Sequence, residues 1–389
     1  MKRLLILNGS HSDIPLIRAG KQLGYRVLTT GNDRSLIGHA FADEYHPADF
    51  SDREAVLQLA GKLKIDAICS CANDFGALSA AWTAEQLGLP GHDSWQTSLT
   101  LHHKDRYREF AQQHGVPSPR AVCFSDIDQA ISLPPSLPVI VKPVDLTGGK
   151  GVTRVDQLGD YENAVQHAFK LSRTRRIVVE EFLEGHLHSL TTFLREQRVI
   201  FCFSDNEYSY QNPFLVTTSA GPATDFASAG PLLIAEAEKI ATLLKLKDGV
   251  FHIQYIMNSG RPSIIEITRR CSGDLYPGPV ERATGVPWAE WIVRAACGLS
   301  TTEFPVAVQR GFVGRHCIMA PANGVVRSVT IASEIRDCIY DQLMWWKAGD
   351  RIDNFLTQKL GILQLEYQSR EQMLELTSRI NQLVRVELE

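Results

Sequence analysis

The chain has 389 residues, 44% of them hydrophobic, and a formal net charge of −4. That length predicts two or three domains with buried cores, and the charge balance, with no basic run, excludes a general nucleic-acid surface. No apolar stretch reaches the roughly 18 residues that a membrane span needs.

The first ninety or so residues alternate strands and helices. The apolar run Leu4–Leu7 stops at Asn8-Gly9, too soon for a signal peptide, and reads as a buried strand. A helix follows, capped by Ser12 or Asp13, with Ile14, Ile17 and Leu23 inward and Gly24 at its end. Tyr25–Thr29 is a second strand. Ser51-Asp52-Arg53-Glu54 has the pattern of a capping box ahead of Val56, Leu59, Ala60 and Leu63 at helical spacing. Asp66–Ser70 is a third strand, and a helix carrying Phe75, Leu78 and Trp82 stops at Gly88-Leu89-Pro90. Such alternation predicts a parallel, Rossmann-like sheet covered on both faces.

A linking helix is expected from Lys104 to His114-Gly115, ended by Val116-Pro117-Ser118-Pro119. The proline cluster Leu133–Pro138 precedes a strand at Val139–Val141, so residues from about 120 to 185 read as a small subdomain. Further on come an amphipathic helix at Leu232–Leu244 and a hairpin joining Phe251–Ile256 to Ile264–Ile267 through Asn258-Ser259-Gly260-Arg261. A strand at Gly311–Ala320 and a closing helix opened by the capping box Ser369-Arg370-Glu371-Gln372, with Met373, Leu376 and Ile380 inward, complete the chain. The eight cysteines are scattered without a CxxC pair, which fits reduced thiols in a cytoplasmic protein. His102-His103 and His186-Leu187-His188 lack the spacing and thiolate partners of a zinc site.

Three segments in fixed order carry chemistry. In Val141-Lys142-Pro143 a lysine ends an apolar strand, and Thr147-Gly148-Gly149-Lys150-Gly151 follows. Glycines let several backbone donors converge on a phosphate, and each lysine adds a cation. The spacing is not that of a Walker A loop. Next, Glu180-Glu181-Phe182-Leu183 follows the apolar run Ile177–Val179, where backbone groups can meet an adenine edge. Last, Glu266 is an acid inside the apolar strand Ile264–Ile267, and a buried carboxylate needs a partner or a metal. The hairpin lets Gln254 face Glu266, Thr268 shares the Glu266 face, and the pair can hold Mg²⁺. One of Arg269 and Arg270 should point into the site to hold a phosphoryl group or a carboxylate. Asp274 in the next loop is suited either to a substrate amine or to capping a turn, and Ser209–Pro222 to a substrate loop.

On these residues the chain resembles the ATP-grasp superfamily of carboxylate–amine ligases, among them amino-acid ligases and carbamoyl-phosphate synthetase large chains, over essentially its whole length. The strand lysine and glycine loop of that family are matched by Lys142 and Gly148–Gly151, its earlier lysine by Lys104, and its adenine hinge by Glu180–Leu183. Its Glu-x-Asn-x-Arg strand is matched by Glu266-Ile267-Thr268-Arg269-Arg270. Asn73-Asp74-Phe75 matches the preceding domain and makes Asn73 a substrate candidate. The resemblance implies an α/β ATP-grasp fold, divided into a pre-ATP-grasp domain over 1–98, a central region over 99–305 with its lid at about 120–185, and a C-terminal α+β module over 306–389.

It also implies ATP with Mg²⁺, for which Mn²⁺ can substitute, a small-molecule carboxylate substrate, an amino acid or a related acid, that is activated as an acyl phosphate and coupled to an amine, and Lys142 and Arg270 as catalytic residues. It allows a homodimer. Three departures stand out: Gln254 at a position commonly glutamate, Thr268 at the asparagine position, and Leu187 where Gly-x-Glu usually places an acid after Gly185. The neutral Gln254 and Thr268 keep open an ATP-binding protein of the same fold without ligase activity; a carboxylate–thiol ligase is a further alternative. A dinucleotide-dependent oxidoreductase fails because Gly9-Ser10-His11-Ser12 lacks Gly-x-Gly-x-x-Gly.

Overall fold

In the computed structural model, which describes residues 1–389, the chain opens with a four-stranded parallel sheet. Its strands lie in the order Glu44–Tyr45, Arg26–Thr30, Arg3–Leu7 and Ala67–Ser70. Leu4, Leu5, Ile6 and Leu7 are all fully buried, because helices cover both faces of the sheet. Helices Ile14–Gln22, Arg53–Leu63 and Asp74–Leu87 form where the hydrophobic spacing places them.

The caps differ in detail from expectation. Asp52, not Ser51, caps the second helix, accepting from the Glu54 and Ala55 N–H groups, while the Ser51 hydroxyl turns back to Asp49. Asp13, not Ser12, holds the N-cap position of Ile14–Gln22, without a side-chain bond to that helix; its carboxylate instead forms a reciprocal capping box with Ser10 around the short turn His11–Asp13. At the C-terminal segment Ser369 does cap Gln372 N, but the glutamine reaches back to Gln368 N rather than to Ser369.

Residues 121–181 form a separate four-stranded antiparallel sheet, ordered Ala121–Phe124, Ile177–Glu181, Val139–Pro143 and Thr153–Val155. Helix Tyr161–Leu171 packs Tyr161, Val165 and Ala168 on it, giving this unit its own core with Val139, Val141 and Val179.

The rest of the chain is built on one eight-stranded sheet. It runs Arg261–Thr268, Gly249–Asn258, His186–Arg195, Arg198–Tyr208, Thr218–Gly221, Phe312–Met319, Lys359–Tyr367 and Ile339–Met344. The strands near the C-terminus therefore extend the central sheet; only Gly324–Ile331, Arg351–Ile352 and Val384–Leu388 form a small sheet of their own. Ser259 and Gly260 both have positive φ, +48° and +78°, as a tight two-residue hairpin turn requires. Helix Phe226–Leu244 begins earlier than Leu232, because Ala227–Gly230 are helical without adding apolar periodicity. Gly185 has φ +152° and a Cβ there would lie 2.1 Å from the Met257 carbonyl oxygen, so only glycine lets the chain leave the small sheet and enter the large one at this point. No helix is long and apolar enough to cross a membrane.

Candidate active site

Helix Lys104–His114 and strands Val139–Pro143 and Ile177–Glu181 meet at one buried charge cluster. Glu180, 5% exposed, accepts from the Lys142 ammonium on one oxygen and from Arg108 Nε at 3.0 Å on the other. Arg108 also donates to the Ile265 carbonyl at 2.9 Å, tying the small sheet to the Glu266 strand. Burial pushes the Lys142 pKa down and Glu180 pulls it back only in part, because Arg108 and Lys104 repel a third cation. Burial raises Glu180, but Arg108 and Lys142 outweigh it and hold the carboxyl below its usual range. The Glu180 side chain thus orients Lys142. Arg108 escaped the sequence reading, although it lies four residues after Lys104 and so on the same helix face.

The loop between strand Val139–Pro143 and the edge strand Thr153–Val155 holds Gly148, Gly149 and Gly151 at φ +66°, +72° and +72°. It packs against the segment 209–217: a Cβ on Gly149 would lie 2.8 Å from Phe214, and one on Gly148 would lie 3.8 Å from Leu215. Lys150 is exposed at its tip. Beyond Glu180, the Glu181 carboxylate takes the Arg120 N–H and guanidinium, each at 2.9 Å, and Phe182 lies under the Arg154 guanidinium at 3.9 Å. The Leu183 N–H has no protein partner and is a free donor at the strand end, suited to a purine edge.

Glu266 lies directly opposite Gln254, as expected, through a bulge between Gln254 and Tyr255 that shifts the hairpin register by one residue. Lys104 Nζ sits 3.3 Å from the Glu266 carboxylate and donates to the Leu146 carbonyl at 2.9 Å, linking the glycine loop to the acid. Gln254 donates through Nε2 to Glu207 at 2.7 Å, which leaves its amide oxygen as the free acceptor beside Glu266. Thr268 Oγ1 is buried without a partner. One carboxylate and two neutral oxygens fit a Mg²⁺ that draws its remaining ligands from phosphate and water. No group of three or more His, Cys, Asp or Glu forms a protein-only metal cage.

The two arginines, in the bend just past the strand, part company. Arg270 donates through Nε to Asp74 at 2.7 Å and through Nη1 to the Cys271 carbonyl at 3.2 Å, and Nη2 remains without a protein partner. Asp74 is held well below the usual carboxylate range: burial raises it, and Arg270 and His102 outweigh burial. Arg269, a substrate candidate from sequence, is instead consumed by Asp93 at 2.7 Å and by the Lys247 and Val250 carbonyls. Asn73 spends its side-chain oxygen capping helix Asp74–Leu87, accepting from Phe75 N at 2.9 Å. Asp274 is neither free for an amine nor a simple cap. Lys359 at 2.6 Å, Arg315 at 3.0 Å and His11 at 3.2 Å surround its carboxylate; burial raises it, and the Lys359 charge, the His11 hydrogen bond and Arg315 outweigh burial, so it stays ionised.

Sequence reasoning missed the acids Asp205 and Glu207. They alternate on strand Arg198–Tyr208 as two acids in a half-apolar strand, the same signal that singled out Glu266. Burial, then Asp205, pushes Glu207 up to about 8. Arg315 and Lys359 carried no local signal, because their partners come from distant parts of the chain.

Residues 103–274 match the family described as the ATP-grasp domain. The chain has the ATP-grasp fold. It is similar to the carbamoyl phosphate synthase large chain of Campylobacter jejuni, 25% identical over 73% of this chain and 27% of that protein. It is also similar to the formate-dependent phosphoribosylglycinamide formyltransferase of Rhodococcus jostii, 23% identical over 69% of this chain and 68% of that one. The chain thus spans about a quarter of the first relative's length. The solved L-amino acid ligase from Bacillus licheniformis superposes with a TM-score of 0.84 at 19% identity, covering 100% of this chain and 99% of that one, a likeness of fold.

Proposed function

We propose that the protein is an ATP-dependent ligase that phosphorylates a small carboxylate to an acyl phosphate and couples it to an amine, releasing ADP and phosphate. The observation that carries this reading is the convergence of Lys142, Lys104, the glycine loop, Glu266 and the free edge of Arg270 on one site. Cations and backbone donors for a triphosphate there adjoin a carboxylate and a guanidinium suited to the group being transferred.

Direct amide formation is slow because hydroxide leaves poorly. In the first step a substrate carboxylate oxygen attacks the γ-phosphorus of ATP, the bridging P–O bond to the β-phosphate breaks, and ADP departs. In the second a neutral amine attacks the acyl carbon, the C–O bond to phosphate breaks, phosphate leaves and the amine loses a proton. Lys142, held by Glu180, and Lys104 neutralise the phosphates. Arg270, held by Asp74, stabilises the transferring phosphoryl group and the later oxyanion. Glu266 and Gln254 would hold Mg²⁺, which supplies charge neutralisation on the phosphate oxygens. The glycine loop, resting on Phe214, excludes water from the acyl phosphate when it closes.

The test is ADP release over a panel of carboxylates, with hydroxylamine as a generic amine. Hydroxamate formed from one carboxylate identifies the activated substrate. ATP binding with no ADP release across the panel favours the non-catalytic reading, whose support is the neutral pair Gln254 and Thr268.

A further inference from the structure

Residues paired across neighbouring strands share a face of the sheet. The register sets Glu266 opposite Gln254, Gln254 opposite Ser189, and Ser189 opposite Asp205. Next to Asp205 on that face, Glu207 lies opposite Ser219, and Ser219 opposite Arg315. One polar floor therefore runs from Glu266 to Arg315.

Asp205 and Glu207, 1% and 8% exposed, lie in the middle of that floor. Asp205 takes the Ser189 hydroxyl and Glu207 the Gln254 amide, and Asp205 Oδ2 has no partner. No basic side chain of the protein lies within 4.0 Å of either carboxylate. Asp74, Asp93, Asp105 and Glu180, also buried, each face a guanidinium or ammonium, whereas Asp13 and Asp145 are met by backbone N–H groups and hydroxyls. A buried carboxylate without a cation is costly, so this pair is short of a positive group. Arg315, further along the floor, offsets the burial of both acids only in part and touches neither. The floor has other open groups. Arg315, 5% exposed, has an unpartnered Nε at the far end of the floor, and His252, 6% exposed and opposite Thr268, has an unpartnered Nδ1. The floor is polar, buried and incompletely satisfied from within the chain.

Building on the ligase reading, we infer that the activated carboxylate belongs to an α-amino acid whose ammonium group is held by Glu207 with Asp205 behind it. Its carboxylate then lies toward Glu266 and Arg270. Glu207 reaches Gln254, the direct neighbour of Glu266, so the ammonium and carboxylate positions are about one side chain apart. An α-ammonium fits that separation. An ammonium held by two carboxylates has no lone pair to attack an acyl phosphate, so the nitrogen of the new C–N bond comes from the second substrate.

The test pairs L-amino acids with their desamino counterparts, such as L-alanine with propionate, in the hydroxylamine assay, and measures the binding of each by calorimetry. The wild-type protein should prefer the amino acid by about 100-fold in kcat/KM. Glu207→Gln should erase most of that preference by weakening the amino acid alone. Asp205→Asn, which leaves the Gln254 contact intact, should reduce it about 10-fold. Equal use of amino and desamino acids, unchanged in both variants, would overturn the inference and leave the ligase reading standing. A changed Mg²⁺ or K⁺ requirement with an unchanged amino-to-desamino ratio also overturns it, by assigning the pair to an inorganic cation. If no carboxylate supports ADP release, the ligase reading falls. Calorimetry then decides separately: amino-acid binding that is lost in Asp205→Asn supports the ammonium site, and no binding removes it.

Discussion

Glu180 lies between a lysine and an arginine in a place with little water, and its removal has two separable effects. Glu180→Ala leaves Lys142 and Arg108 buried without a counter-charge, so stability should fall by about 3–5 kcal/mol in denaturant unfolding. Lys142→Met keeps the Glu180–Arg108 pair; its unfolding midpoint should stay close to wild type while ADP release drops at least about 100-fold. Asp13 offers a test by pH. It accepts Gly9 N, Ser10 N and Ser10 Oγ at 3.1, 2.7 and 2.9 Å, yet burial exceeds these bonds and lifts its pKa to about 7. A raised folded-state pKa means that the folded protein binds the proton more tightly. Its contribution to stability is complete below about pH 4 and is lost as pH rises through about 7. Asp13→Asn should flatten the fall in thermal midpoint between pH 5 and 7. Lys142 and Glu266 were legible as residues because each is a charge in an apolar strand. The same residue-by-residue logic misplaced Arg269 and Asp274, because which of two adjacent arginines faces the site, and what surrounds an aspartate, depends on partners far along the chain.

At the level of elements, the glycine loop and the segment that covers it form one device. Gly149 has φ +72° and almost no space toward Phe214, so Gly149→Ala strains the backbone and pushes the two loops apart. The expected result is a rise of about 10-fold in the KM for ATP with stability lowered by no more than about 1 kcal/mol. Helices and strands of the first ninety or so residues were readable because burial on both faces makes whole strands apolar, and capping residues mark the helix starts. The cap position slipped by one residue between Ser51 and Asp52 because both side chains can accept backbone N–H groups. The hairpin was legible from its turn, but Ser259-Gly260 alone would set Gln254 opposite Ile265; a bulge between Gln254 and Tyr255 shifts the register by one and brings Glu266 opposite Gln254. The polar floor was not, because it is assembled from strands whose order in the sheet differs from their order in the sequence.

Across the whole molecule, Asp274 joins His11 from the first domain to Arg315 and Lys359 from strands near the C-terminus. Asp74 similarly fastens the first domain to Arg270. Both acids are held below their usual range, so their contribution is present above about pH 4 and is lost as pH falls further. Acid should therefore loosen the contact between the first domain and the large sheet. Asp274→Asn should remove part of that acid sensitivity in thermal unfolding, and should destabilise the protein at pH 7 because two buried cations lose their counter-ion.

The large sheet passes without interruption from the strand of Glu266 to strands near the end of the chain. Its short strand Thr218–Gly221 has Phe312–Met319 as its neighbour on one side. Cutting the chain before residue 312 would leave a row of unpaired amides and carbonyls along Thr218–Gly221 and strip away Arg315, at the end of the polar floor. Such a fragment should self-associate rather than persist as a smaller nucleotide-binding unit. An exchange of C-terminal segments between relatives, made to alter substrate choice, would have to carry the edge that receives them as well.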